Sequence, residues 1–158
     1  MNSPATRWKC LCSYDGTDYA GWQSQLTGRA VQDVVEEAME EVLGCHTRIH
    51  GSGRTDAGVH ANGQVFHCDA PWGHGAEALK KALNNRLPQD IQVLAVNKAS
   101  PSFHARISAT GKRYVYRASE GVALPMELRY RHSLPDRKLD LDAMREASRF
   151  LLGEHDFT

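Results

Sequence analysis

Residues 31–44, Val-Gln-Asp-Val-Val-Glu-Glu-Ala-Met-Glu-Glu-Val-Leu-Gly, repeat their apolar side chains at the spacing of an amphipathic helix. Gly44 closes the run and suits the left-handed position that ends many helices. Upstream, residues 7–14 alternate apolar and polar side chains, which is the period-two pattern of a half-buried strand. The sequence therefore predicts a strand followed by a helix.

Four further segments extend this pattern along the chain. Residues 45–50 and 63–69 are predicted as short strands, residues 74–87 as a second helix and residues 91–96 as another strand. The order βαββαβ is that of a ferredoxin-like unit, an α+β fold with an antiparallel sheet. We expect residues 1–105 to form this N-terminal subdomain.

The beginning of a second, similar unit is predicted over residues 106–158. Residues 108–119 alternate like a strand, and residues 139–152 have helical spacing. Between them, residues 121–135 contain two prolines and no regular pattern, so we expect a mobile connection there. One strand and one helix make this second subdomain incomplete.

Composition is that of a globular protein with no strong overall charge. Of 158 residues, 41% are hydrophobic, and 19 basic residues balance 19 acidic ones. The balance argues against a simple polycationic nucleic-acid binder, although basic residues crowd the later third of the chain. The chain has no apolar run of membrane-spanning length and no signal-peptide segment at its start, so we expect a cytoplasmic protein without a membrane partner.

A glycine-rich stretch, residues 51–61, lies between the two central predicted strands. It reads Gly-Ser-Gly-Arg-Thr-Asp-Ala-Gly-Val-His-Ala. Glycine is common where the backbone takes unusual dihedrals or approaches a ligand closely, so the stretch predicts a shaped loop. Arg54 and Asp56 are its candidate reactive residues. A surface turn with a solvated ion pair is the alternative.

Several segments in the same order resemble the tRNA pseudouridine synthase A family. The glycine-rich stretch resembles the catalytic loop of that family. The other matching segments are Tyr14-Asp15-Gly16-Thr17, Gly21-Trp22-Gln23, Val31-Gln32-Asp33, Phe103-His104-Ala105-Arg106, Lys112-Arg113-Tyr114-Val115-Tyr116 and Gly153-Glu154-His155-Asp156-Phe157. Members of the family have two ferredoxin-like halves and continue well beyond the last segment. The resemblance therefore implies the N-terminal part of a longer enzyme.

The resemblance implies an isomerase that converts uridine to pseudouridine in the anticodon stem-loop of tRNA, at positions 38, 39 and 40. The reaction joins the uracil ring to ribose through C5 in place of N1 without net redox change, so we expect no cofactor and no metal. Asp56 is expected to be the nucleophile, with attack at ribose C1′ or uracil C6 both open. Arg54 is expected to favour the ionised form of Asp56, or instead to hold a phosphate or to fill the space that the displaced base leaves. The family also implies a homodimer that binds one tRNA across both subunits.

Tyr114 matches the active-site tyrosine of the family, which stacks on the target base. Tyr116 lies two residues later on the predicted strand and would share its face, so the choice of Tyr114 depends on the resemblance. A cross-strand packing pair is the alternative for both tyrosines. Trp22 is expected either to contact RNA or to lie in the core. The weaker candidates for RNA contact are Trp22, Arg106, Lys112 and Arg113.

Three other functions fit these residues less well. A metal site lacks a Cys-x-x-Cys pair and a His-x-x-x-His pair on a predicted helix. A phosphate-binding loop lacks the following Lys-Ser or Lys-Thr, and Asp56 occupies the last glycine position of Gly-x-Gly-x-x-Gly. The remaining alternative is a non-catalytic RNA-binding fragment of the same fold, although the third predicted strand offers only Phe66 for stacking.

Overall fold

The computed structural model describes residues 5–156. The first part of the chain contains β1 (Thr6–Tyr14), α1 (Val31–Leu43), β2 (His50–Gly51), β3 (Ala61–Ala70), α2 (Ala76–Asn84) and β4 (Ile91–Lys98). Backbone pairing gives the strand order β2-β3-β1-β4, and every neighbouring pair is antiparallel. The predicted βαββαβ order and α+β fold class are confirmed.

The core lies between this sheet and the two helices. Trp8, Cys10, Cys12 and Tyr14 alternate along β1 and are at most 3% exposed, as the period-two pattern predicts. The apolar face of α1 packs into the same core. The helix ends at Gly44, whose φ of 70° is left-handed and whose N–H donates to the carbonyl of Glu40, so the predicted helix end is confirmed.

The predicted strand over residues 45–50 is wrong for most of its length. Only His50–Gly51 pair with β3. Thr47 and Ile49 are buried while the residues beside them are exposed, which produces the alternation. The backbone N–H and carbonyl of Ile49, however, bond to side chains of α1 instead of to a neighbouring strand. At the opposite edge, the side chain of Asn84 bonds the N–H and the carbonyl of Val93 in β4.

The chain divides into two compact units between Lys112 and Arg113. The second unit contains β5 (Ala118–Glu120), β6 (His132–Leu134), α3 (Leu141–Ser148) and a 3-10 turn at Arg149–Leu151. The strands β5 and β6 pair in parallel. Asp140 caps α3 by accepting hydrogen bonds from the N–H groups of Asp142 and Ala143.

Two predictions for this part of the chain need correction. The strand expected over 108–119 shrinks to β5, because only there does a described strand, β6, supply backbone partners. The connection expected over 121–135 contains β6 and is therefore partly ordered in a sheet. Among the helices within residues 5–156, none is long and apolar enough to cross a membrane.

Candidate active site

The glycine-rich loop leaves β2 at Ser52 and enters β3 after His60. Its first residues are held by Gln64, which is 7% exposed. Gln64 Nε2 donates to the Gly53 carbonyl at 2.7 Å, and Gln64 Oε1 accepts from Ser52 Oγ at 2.7 Å. Sequence reasoning missed Gln64, although its amide interrupts the apolar face that Phe66 and Cys68 continue along β3.

Thr55, the residue before Asp56, is bound by the last residue of β1 and by the segment that joins β1 to α1. Its carbonyl accepts from the Trp22 N–H at 3.0 Å, and its hydroxyl makes a 2.9 Å hydrogen bond with the Tyr14 hydroxyl. Beyond Asp56, the Gly58 N–H donates to the Tyr19 carbonyl at 3.2 Å. The backbone around Asp56 is therefore fixed by the chain that packs beneath it.

Two glycines allow this segment to approach the loop. A Cβ at Gly16 would lie 2.0 Å from the Val59 carbonyl oxygen, and a Cβ at Gly21 would lie 2.5 Å from that of Thr55. Gly21 also has a left-handed φ of 90°. Both positions need glycine for close backbone contact, which explains physically why glycine occurs at residues 16 and 21.

Trp22 lies in the core and is 1% exposed. Its ring packs 5.8 Å from that of Tyr14 and 6.2 Å from that of Phe66. A Cβ at Gly51 would lie 2.4 Å from Trp22 Nε1, so the indole contacts the first residue of the loop closely. The structure therefore places Trp22 in the core. Its buried indole cannot contact an RNA and instead packs against the loop and supports it.

Arg54 and Asp56 are both exposed. Within residues 5–156, their side chains make no ion pair with each other or with another residue, so the structure does not bring them together as a pair. The carbonyl of Asp56 accepts from the Val59 N–H at 3.2 Å, which leaves its carboxylate at a turn. A carboxylate and a guanidinium are thus both exposed to a ligand on one short loop.

Lys112 lies against this loop. A Cβ at Gly53 would be 2.7 Å from Lys112 Nζ and 3.0 Å from Cε, so the ammonium group sits over the backbone next to Arg54. Arg106 is exposed in the same unit. In the second unit, Arg113 is exposed, and the side chains of Tyr114 and Tyr116 are 66% and 95% exposed.

His60 ends the loop with structural contacts. Its Nδ1 lies 2.9 Å from Asp15 Oδ1 and accepts from the Gly16 N–H at 3.1 Å. The same Asp15 oxygen accepts from both the N–H and the hydroxyl of Thr17. His60 therefore ties the end of the loop to the turn that follows β1.

A cluster of three histidines, His50, His67 and His104, fixes the segment at residues 103–106. The ring of His67 stacks on His50 at 5.0 Å and meets the edge of His104 at 4.6 Å. Burial and then the neighbouring His104 and His50 lower the pKa of His67 to about 4, so it is neutral at pH 7. Its Nδ1 accepts from the Ala105 N–H at 3.2 Å, which anchors this segment on β3.

Comparison with known proteins gives consistent matches. Residues 11–107 match a family model described as tRNA pseudouridine synthase. The chain is 48% identical over 156 residues to tRNA pseudouridine synthase A of Akkermansia muciniphila, covering 97% of this chain and 58% of that protein. It is 43% identical over 156 residues to the protein of the same name from Afipia carboxidovorans, covering 96% and 62%.

A third relative, tRNA pseudouridine synthase A of Geobacillus kaustophilus, is 44% identical over 153 residues, covering 96% of this chain and 59% of its own length. The chain thus spans 58% to 62% of the length of these curated relatives. The matches confirm the resemblance seen in the motifs. The family model covers well over half of the chain, and the chain belongs to the tRNA pseudouridine synthase family.

Proposed function

We propose that this protein isomerises uridine to pseudouridine in tRNA, with Asp56 as the nucleophile. The observation that carries the proposal is an exposed carboxylate on a loop whose flanking backbone is fixed at Thr55 and Gly58. A nucleophile gains most when its approach to the substrate is fixed in advance, because less freedom is then lost in the transition state. Family membership and the names of the relatives support the same reaction.

The chemistry needs one carboxylate and one rotation of the base. Asp56 adds to ribose C1′ or to uracil C6, the bond between N1 and C1′ breaks, and the uracil ring turns. A bond from C5 to C1′ then forms, the carboxylate is released, C5 loses its proton, and N1 takes one up, so that no net proton is released. Atoms and electrons balance without an oxidant or an external nucleophile, and both points of attack use the same carboxylate.

The substrate must present an unstacked uridine, because a base inside a stem shields the atoms that react. Extruding a nucleotide costs a few kcal/mol. The three anticodon stem-loop uridines that the family resemblance implies are the proposed targets. Arg54 on the loop and Lys112 against it are proposed to hold phosphates beside the extruded base, and Arg106 and Arg113 to add weaker contacts. Tyr114 is proposed to stack on that base.

The assembly and location of the protein are proposals that come from the family. We infer a homodimer in which one tRNA contacts both subunits, and a cytoplasmic location where tRNA is modified. Sedimentation of the protein with and without tRNA tests the first point, since one tRNA bound for every two chains is expected.

Release of tritium from C5-tritiated uridine in an anticodon stem-loop RNA tests the reaction. We expect wild type to release tritium and Asp56→Asn to release none, while binding the RNA within a few-fold of wild type. The assay should use both this chain and a form that includes any sequence encoded beyond Thr158. Tight RNA binding without tritium release from either form would instead favour the non-catalytic RNA-binding alternative.

A further inference from the structure

A polar pair lies buried in the first two turns of α1. Gln32 is 2% exposed and Glu36 is 6% exposed, although glutamate is almost never buried this far without partners. Gln32 Nε2 donates to Glu36 Oε1 at 2.8 Å. Because a buried amide and a buried carboxylate are costly unless they are hydrogen-bonded, their remaining partners indicate what the pair holds in place.

Gln32 binds the segment that follows Gly21. Its Oε1 accepts from Gln23 Nε2 at 2.8 Å and from the Ser24 N–H at 3.1 Å. The backbone N–H of Gln32 donates to the Trp22 carbonyl at 3.0 Å. One side chain and its backbone thus fix three consecutive residues.

Glu36 binds the segment that leads into β2. Its Oε1 accepts from the Ile49 N–H at 3.0 Å, and the Ile49 carbonyl accepts from Gln32 Nε2 at 3.3 Å. Glu36 Oε2 accepts from Arg48 Nη1 at 3.1 Å, and the Arg48 side chain is 50% exposed. The pair therefore replaces the neighbouring strand that Ile49 lacks.

These two segments meet at the glycine-rich loop. The Trp22 ring packs against Gly51, which lies two residues after Ile49. The Trp22 N–H holds the carbonyl of Thr55, the residue before Asp56. Each path from the buried pair to the loop therefore runs through only a few directly bonded residues.

We propose that Gln32 and Glu36 are positioning residues for the reaction at Asp56, an inference that rests on the proposed function. Neither touches the reacting atoms; together they hold the two segments that position the loop. A displacement of a reacting group by about 1 Å can cost on the order of 100-fold in rate. Loss of either side chain should therefore slow the chemical step more than it weakens RNA binding.

The test compares Gln32→Met and Glu36→Leu with Glu36→Gln and Arg29→Met. Met and Leu keep bulk and remove the buried hydrogen bonds. Glu36→Gln keeps an acceptor for the Ile49 N–H, so it should restore part of the rate lost in Glu36→Leu. Arg29→Met is the matched control, because it removes an exposed ion pair with Glu37 of the same helix and leaves the buried pair and its partners in place.

Single-turnover tritium release, RNA affinity and amide hydrogen exchange are measured below the thermal midpoint of each variant. We expect Gln32→Met and Glu36→Leu to lose about tenfold or more in rate with RNA affinity within about threefold. Exchange should accelerate at the amides of Trp22 and Gly58, both bonded across the loop. Arg29→Met should match wild type in all three measurements.

Lower thermal midpoints with an unchanged rate would show a merely structural role and overturn the inference. Equal losses of rate and RNA affinity would overturn it as well. A wild type that releases no tritium counts against the proposed function alone. In that case the exchange rates at Trp22 and Gly58 still decide whether the buried pair holds the loop.

Discussion

The N–H of Trp22 donates to the carbonyl of Thr55 at 3.0 Å, and this bond joins a core residue to the residue before the proposed nucleophile. Trp22 is 1% exposed, so the bond lies where water does not compete for it. The loop that carries Asp56 therefore depends on the packing beneath it, and the following substitutions test that dependence at separate points.

Tyr14→Phe removes the hydroxyl that bonds Thr55 Oγ1 at 2.9 Å and keeps the buried ring. We expect the free energy of unfolding to fall by about 1 kcal/mol, the usual worth of one hydrogen bond, and tritium release to slow. Tyr19→Phe is the control, because its hydroxyl bonds Asp90 instead. Urea denaturation and the tritium assay measure both effects, and equal slowing in the two variants would contradict the role of Thr55.

Gly16→Ala places a Cβ 2.0 Å from the Val59 carbonyl, so the turn after β1 and the end of the loop must separate. We expect a loss of about 1 to 3 kcal/mol in the free energy of unfolding, as for other overpacked sites. Gly111→Ala is the matched control, since a Cβ there meets no atom within 4 Å. Thermal unfolding of both variants checks the prediction, which an unchanged midpoint in Gly16→Ala would refute.

Lys112→Met should weaken RNA binding and reduce the salt dependence of the binding constant by about one counterion. The reason is that the Lys112 ammonium lies over Gly53 on the loop, where a phosphate of bound RNA could reach it. Lys80→Met is the control, because Lys80 pairs with Glu77 on α2. Filter binding over a range of salt concentrations measures how the binding constant depends on salt. The same salt dependence in both variants would show that Lys112 does not contact the RNA.

Tyr114→Phe should bind RNA nearly as wild type, because the stacking face remains, and should turn over more slowly if the hydroxyl assists proton removal from C5. Tyr114→Ala should lose about 1 to 3 kcal/mol of binding, the range for one base stacked on an aromatic ring. The same substitutions at Tyr116 are the matched controls. Effects of this size at Tyr116 and none at Tyr114 would exchange the two assignments.

Stability should fall between about pH 6.5 and pH 4 because of His67. Burial, with His104 and His50 beside it, lowers its pKa to about 4 in the folded state. In this window the unfolded chain binds a proton on His67 and the folded chain does not, so the free energy of unfolding decreases as pH falls.

His67→Gln should flatten this pH dependence, since an amide oxygen can still accept from the Ala105 N–H and does not titrate. His74→Gln, at an exposed position, is the control and should leave the slope unchanged. Urea midpoints at about pH 7 and about pH 5 provide the measurement. Parallel pH profiles for wild type and His67→Gln would show that another group dominates.

The first unit was predictable because its hydrophobic periods are long and distinct. The helix over Val31–Leu43 and the strand before it, β1, follow directly from side-chain spacing. The strand predicted at 45–50 failed because Ile49 alternates in burial while its backbone bonds to Gln32 and Glu36, a long-range relationship that local periodicity does not encode.

The loop of the candidate site could be predicted from the sequence, but the residues that hold the loop in place could not. The glycines and Asp56 were visible in the sequence, whereas Gln64 and Glu36 are polar residues in mostly apolar patterns and reveal their roles only through their partners. The alternation over 108–119 failed for a related reason. A strand needs a neighbour to satisfy its backbone, and the described residues supply one only at Ala118–Glu120.

The hydrogen bonds from α1 to the backbone of Ile49 also protect one edge of the sheet. Exposed edge strands can pair with other chains and so promote aggregation. At one edge, side chains of α1 occupy both backbone groups of Ile49, and β2 is only two residues long. At the other edge, Asn84 of α2 occupies those of Val93. Both helices therefore protect the sheet from edge-to-edge association as well as covering its core.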